Sequence, residues 1–380
     1  MCLGDRSLVN PPVYLDAASS EPLHPAARET LLAALDHGYA DPRRLHGAAR
    51  NARLMLDNAR EVVGSCLGAR PDEVTFTPSG THAVHLGVLG LLGGRSRVSS
   101  VLARSAVEHS SVVHAGDWHV SRGGSVVEIP VDREGRVSRS AIPDGPLAAV
   151  ALQAANHEVG TIQPVSAVAE AVDAPLFMDA CAAAGRVDLP DGWAAAAVSA
   201  HKWGGPAGVG ALLVRKGARW RNPFPGDDRI DERSSGFEDV PAALAAAAAL
   251  QAVTASRSDL VAQQHALVDE IRARVAATVP DVEVVGAPDD RLPHLVTFSC
   301  LYVDGEALVT ELDRRGFGVA SGSACTASTL RPSHVLAAMG VLTHGNVRVS
   351  LTLDTTAEQV DAFLDQLPDV VREIRAQVDL

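Results

Sequence analysis

The chain reads as an α/β protein, with a large domain built on a mainly parallel sheet and a smaller α+β domain after it. Three observations carry this expectation. Short apolar runs of strand length alternate with helical stretches from about residue 73 to residue 214, the pattern of parallel strands joined by crossovers. The 380 residues are 47% hydrophobic, enough to bury a large core and to divide in two. Past a polar loop at 222–239 the alternation stops, and two helical stretches, about 240–255 and 257–278, lead into short strands. The expected division is 13–255 for the large domain, and 1–12 with 256–380 for the small one.

In order, the first dozen residues form a loose arm ending at Pro11-Pro12, and 13–15 is a short strand. Residues 25–37 read as a helix whose Leu31, Leu32 and Leu35 share a face and which Gly38 stops. A second helix, about 48–67, ends at Gly68. The strand at 73–77 meets Pro78-Ser79-Gly80-Thr81, which opens an apolar helix over 83–92. Strands follow at 98–103, 126–129, 148–152, 176–178, 194–198 and 209–214, interleaved with segments that start at His109 and Val165. The small domain takes strands at 282–285, 295–299 and 346–351 and helices near 305–315 and 333–340. Its C-terminal helical region should break at Pro368.

Composition excludes several classes. Net charge is −13 and no basic run occurs, so tight nucleic-acid binding by this chain alone is not expected. Five cysteines, Cys2, Cys66, Cys181, Cys300 and Cys325, are odd in number, irregular in spacing and without a CxxC. They fit neither a disulfide framework nor a zinc site, and no metal is expected. There is no basic-then-apolar leader, and the Ala-rich stretch at 241–253 is too short to span a bilayer. A cytoplasmic protein with no membrane contact is the expectation.

The chemistry centres on Ser199-Ala200-His201-Lys202-Trp203-Gly204-Gly205. Lys202 is one of two lysines, the other being Lys216, and it lies in a tight turn between two apolar runs. Burial lowers an amine's pKa and leaves it nucleophilic, able to form a Schiff base with a carbonyl. Taken alone, a surface lysine in a turn is the more ordinary reading, and the neighbours change that. Upstream, Asp179 ends an apolar strand, and parallel strands would bring both residues to one carboxyl edge. A buried Asp facing a pyridine nitrogen is what pyridoxal 5′-phosphate (PLP) chemistry needs, though the pairing is not unique to it. Ser79-Gly80-Thr81 at a strand–helix turn suits a phosphate, or is an ordinary helix cap. Cys325 sits among small residues, Ser321-Gly322-Ser323-Ala324-Cys325-Thr326, which reads as a mobile loop with an accessible thiol. Cys66 and Cys300 read as small hydrophobes.

Further segments join these in a specific order: Tyr14-Leu15-Asp16-Ala17-Ala18, Phe76-Thr77-Pro78-Ser79-Gly80-Thr81, Val107-Glu108-His109-Ser110-Ser111-Val112 and Ala155-Asn156-His157-Glu158-Val159-Gly160-Thr161. Over residues 13 to about 356 the chain resembles the cysteine desulfurases of the PLP-dependent class V aminotransferase superfamily, in their group I, NifS/IscS-like branch. The resemblance implies a fold type I PLP-dependent transferase, active as a homodimer. It implies PLP bonded to Lys202, with Asp179 on its ring nitrogen and His109 stacked on the ring and moving protons. Thr81, Gly80, Ser199 and His201 would take its phosphate, and Asn156 would lie near its phenolic oxygen and the substrate. Arg348 would hold the carboxylate of L-cysteine with its planar fork. The Cys325 thiolate would attack the substrate sulfur, giving alanine and a persulfide for a sulfur-acceptor protein, either an iron–sulfur scaffold or a thio-modification enzyme.

Four positions depart from that pattern. Ala182 stands where the family has Gln, His82 at a usual Glu, and His157 at a usual second Asn. Phe237, in Ser234-Ser235-Gly236-Phe237, replaces a Thr that contacts the partner subunit's phosphate. These changes point to a specialised branch, such as the desulfurases of DNA phosphorothioation systems, with tRNA thiolation and iron–sulfur assembly also open. The competing readings are a selenocysteine lyase or aminotransferase, which would not need a loop thiol, and a catalytically degenerate sulfur-transfer scaffold.

Overall fold

The structure, a computed structural model, describes residues 12–226, 232–233, 235–321 and 332–377. In chain order the elements begin with β1 (Val13–Tyr14), α1 (Pro25–Leu35), α2 (Gly47–Leu67), β2 (Val74–Thr77), α3 (Gly80–Arg95), β3 (Val101–Ser105) and α4 (Ser110–Ser121). Then come β4 (Ser125–Ile129), β5 (Ala149–Gln153), α5 (Val165–Ala171), β6 (Leu176–Asp179), β7 (Ala195–Ser199) and β8 (Gly210–Val214). The rest are α6 (Val240–Thr278), β9 (Val282–Val285), β10 (Leu295–Cys300), α7 (Gly305–Arg314), β11 (Phe317–Gly318), α8 (His334–Met339), β12 (Asn346–Ser350) and α9 (Ala357–Ala376).

Seven strands form the main sheet in the order β2-β8-β7-β6-β5-β3-β4. Only β8 runs against its neighbours. The central strands are buried along their whole length because helices cover both faces, so they read as continuous apolar runs. Alternation still sorts their side chains. Met178 and Val198 face a core shared with Leu56 of α2 and Leu250 of α6, whereas Phe177 and Ala197 face Leu86 and Leu91 of α3. A three-stranded antiparallel sheet, β12-β10-β9, builds a separate core with Val268, Phe298, Val349 and Phe363. β1 pairs in parallel with β11, and Leu15 is buried in that second core.

Three expectations are corrected. The two helical stretches around residue 256 are one 39-residue helix, α6. The polar residues at the expected break are accommodated: Ser256 Oγ donates to the Ala252 carbonyl, and Arg257 pairs with Asp188. α9 continues through Pro368, because Leu364, Leu367, Val370 and Val371 anchor both sides of the proline in the second core. On α1, Leu32 and Leu35 are 53% and 55% exposed, and the buried positions are Ala27 and Ala34. β11, two residues long, carried no sequence signal. No helix among the described residues is long and apolar enough to cross a membrane.

Gly210 opens β8 directly beneath the turn that starts α3. A Cβ there would lie 2.4 Å from the Ser79 carbonyl carbon and 2.6 Å from the Gly80 nitrogen, so the strand can run so close only without a side chain. Gly210→Ala is expected to destabilise the fold by about 1–3 kcal/mol, read from urea unfolding midpoints.

Candidate active site

The site is built from strand ends. β6 and β7 are parallel with Asp179 opposite Ala197, so Asp179 and the Ser199–Lys202 turn leave the sheet at the same edge. At this edge β2 delivers Ser79, whose Oγ accepts the His82 N–H at 3.1 Å and caps α3. Thus the cap reading of this turn holds for Ser79, while Gly80 and Thr81 line the cavity. A Cβ on Gly80 would meet Ser199 Cβ at 2.7 Å, which shows how closely the start of α3 approaches the end of β7. β3 leads to His109, the N-cap of α4, and β5 ends at Gln153. Arg348 reaches in from β12. Together they enclose a cavity of about 320 Å³ lined by Gly80, Thr81, His109, Asp179, Ser199, His201, Lys202 and Arg348.

Hydrogen bonds set the state of each group. Lys202 Nζ donates to the carbonyls of Ala18 at 2.5 Å and Ser19 at 3.1 Å. Asp179 Oδ1 accepts the Cys181 N–H at 2.9 Å, which aims the carboxylate. His109 Nδ1 accepts the Ser111 N–H at 3.1 Å, and burial holds the ring's pKa below its ordinary value. The neutral ring therefore carries its proton on Nε2. Burial, helped by the Lys202 charge, pushes His201 down to about 4, and its Nδ1 lies 3.1 Å from Ser199 Oγ. Arg348 spends one Nη on Asp16 Oδ1 at 2.9 Å and Ser19 Oγ at 2.6 Å, and the other on the His157 carbonyl at 3.1 Å. Its Nε is buried without a partner.

Asn156 is not part of the cavity wall. Its Oδ1 accepts the N–H groups of Glu158 and Val159, both at 2.8 Å, and its Nδ2 donates to the Val107 carbonyl at 3.1 Å. Oδ1 and one of the two Nδ2 hydrogens close the turn that Gly160 completes, and the next side chain, His157, lines the cavity. Its ring meets His109 edge-on with centroids 4.9 Å apart. Cys325 lies outside the described residues, as does Ser234. Phe237 is 51% exposed. Residues the sequence reading passed over are Ser19, Ser111, Gln153 and Cys181, all on the cavity wall. Gln153 had a usable signal, since it ends a buried strand at the same edge.

The donor set fits PLP. Thr81 at a helix N-terminus, with Ser199 and His201 beside it, suits a phosphate. Asp179 suits a ring nitrogen, Lys202 a carbonyl carbon, and the Arg348 guanidinium a carboxylate.

The chain matches a family model described as Aminotransferase class-V over residues 13–363. It is 31% identical over 376 residues to "Cysteine desulfurase IscS" of Dictyoglomus turgidum, covering 96% of this chain and 95% of the relative. Identity to "IscS-like cysteine desulfurase" of Mycobacterium tuberculosis is 36% over 381 residues, with 95% and 97% covered. Among solved structures, a NifS-like protein superposes with a TM-score of 0.87 at 26% identity, covering 95% of this chain and all (100%) of that one. DndA from Streptomyces lividans gives 0.75 at 26%, covering 90% and 99%.

Behind His109, Glu108 is fully buried. Its Oε1 accepts the Gln153 N–H at 2.9 Å, its Oε2 has no partner, and burial with Asp179 nearby pushes its pKa from 4.5 up to about 8. The folded state thus holds this proton where the unfolded chain has lost it, so stability falls as pH rises from about 4.5 to about 8. Glu108→Gln should remove that part of the slope, measured as unfolding midpoints across this range.

Proposed function

The chain belongs to the class-V aminotransferase family, and on that footing we propose this reading: it is a PLP-dependent cysteine desulfurase that parks the sulfur of L-cysteine on Cys325 for a thio-modification acceptor. The observation that carries it is the convergence of Lys202, Asp179 and Arg348 on one cavity. Bound PLP supplies an electron sink that makes the Cα–H of an amino acid joined to it acidic.

The chain's own residues do the rest. Asp179 holds the ring nitrogen's proton. Arg348, on the cavity wall, orients the substrate carboxylate with its guanidinium. The Lys202 amine would hold the cofactor, and its Nζ would take the Cα proton. His109, with Nδ1 tied to Ser111, works at Nε2. The Cys325 thiolate forms a bond to the substrate sulfur as the C–S bond breaks. The electron pair stays on the substrate carbon, which takes a proton to give alanine. Structural likeness to DndA, together with the departures at Ala182 and His157, favours a thio-modification acceptor over iron–sulfur assembly. The three described cysteines are all free thiols, which supports a cytoplasmic site of action.

A second copy of the chain is the occupant we assign to the exposed face of α1 and the segment after it. Leu32, Leu35, Tyr39 and Leu45 are all exposed there, an apolar set that a monomer leaves in water. Sedimentation should give twice the 39.6 kDa chain mass, and Leu32→Glu with Leu35→Glu should shift it toward one.

The chemistry is tested with PLP and L-cysteine, reading alanine and the mass of the Cys325 peptide. Alanine plus one added sulfur on Cys325 is expected. Cys325→Ser should lose the adduct, and Lys202→Ala should lower alanine release by at least about 10²-fold. Alanine formed equally well by Cys325→Ser would move the reading to a lyase.

A further inference from the structure

Beside Lys202 the wall of the site contains a gap. Ala182, Leu292 and Leu295 give it small or apolar sides, and His157, His294 and Lys202 give it polar ones. Its free volume is about 10 Å³, close to the space of a single water. Among the described residues neither imidazole has a hydrogen-bond partner. Nδ1 of each ring is buried and unpaired. The nearest acidic atom to His157 Nε2 is Glu158 Oε1, at 3.7 Å, beyond hydrogen-bond reach. His294 is only 3% exposed.

Burial first, then neighbouring charges including Arg348 and Lys202, holds both rings well below the ordinary histidine range. Each is therefore neutral near pH 7, with one N–H to give and one lone pair to fill. Buried polar groups of this kind normally find a partner, in protein or in ordered water. A cation is disfavoured by Lys202 and Arg348, and the gap is too small for an oxyanion.

We propose that the gap is a permanent hydration site, in which one water bridges the His157 and His294 imidazoles and fixes the His157 ring against His109. The water accepts from the N–H of one ring and donates to the lone pair of the other. His157 in turn packs edge-on to His109, at 75° between ring planes, so the water is the far end of a positioning chain that reaches the proton-moving histidine. Ala182 is what leaves the room. His157 and His294 are thus positioning residues, joined by a molecule that the Ala182 side chain is too short to replace.

High-resolution crystal structures of the protein, with and without PLP, test this. A single water peak within hydrogen-bond distance of both rings is expected, and a dry gap overturns the proposal. His294→Phe should lose the water, turn the His157 ring, and shift the visible absorption band of the PLP-loaded protein. His294→Asn, which keeps a polar partner, should restore water and band together. An unmoved His157 ring and an unshifted band in folded His294→Phe also overturn it. Should that variant fail to fold, Ala182→Gln decides. Its amide is expected to take the water's place between the two rings, and an amide turned away from an empty gap counts against the site. The crystallographic outcome stands apart from the desulfurase reading, because it is read in the protein whether or not PLP binds.

Discussion

Strands β6 and β7 lie side by side and run the same way, and the geometry of the site depends on that pairing. Because Asp179 faces Ala197, β7 runs two residues further before it turns, and the turn carries His201 and Lys202 over the end of the shorter strand. The same edge collects the carboxyl ends of β2, β3 and β5, hence Thr81, His109 and Gln153. β8 alone starts there, and it does so on Gly210, the residue whose missing side chain lets the start of α3 settle above it. An antiparallel arrangement of β6 and β7 would have sent Asp179 and Lys202 to opposite edges.

The lysine is held from a second direction. The carbonyls that receive its amine, those of Ala18 and Ser19, belong to a segment fixed by the other sheet. Ser350 Oγ accepts the Ala18 N–H at 2.9 Å, Asp16 pairs with Arg348, and Leu15 is buried in the second core. Further along, Glu21 is paired with Arg186 at 2.5 Å, both side chains nearly fully buried, and its other oxygen accepts the Leu353 N–H. A buried ion pair gains little net stability once desolvation is counted. What this one gives is position, because it fastens the N-terminal segment to both halves of the molecule at the point where they share the site.

Much of this was legible in the chain. Asp179 and Lys202 could be placed because a strand end is a one-dimensional signal, an apolar run stopping on a polar residue. Turns are not one-dimensional, and the pair Asn156 and His157 shows why. Which of two adjacent polar residues faces the cavity depends on which one the turn consumes, and Asn156 closes its own turn while His157 is left over. α6 misled for a related reason. Its polar stretch at Ser256 to Asp259 resembles a linker, yet it marks only the place where one helix leaves the large-sheet core and enters the second, with no Gly or Pro between 242 and 278 to stop it. The leucines of α1 have helical spacing, but periodicity cannot say whether an apolar face meets its own chain or another.

Desolvation gives the site a common electrostatic character. It pushes Glu108 and Glu158 up, to about 8 and about 7, and pushes His109, His157, His201 and His294 down. Near neutral pH every one of these shifts is toward the uncharged form, so the histidines add little field of their own. A neutral imidazole, like a carboxamide, both gives and accepts a hydrogen bond. For that reason His157 can occupy a wall position where the resembled family carries an asparagine without importing a charge. The same neutrality leaves its ring, and that of His294, with one N–H to give and one lone pair to fill.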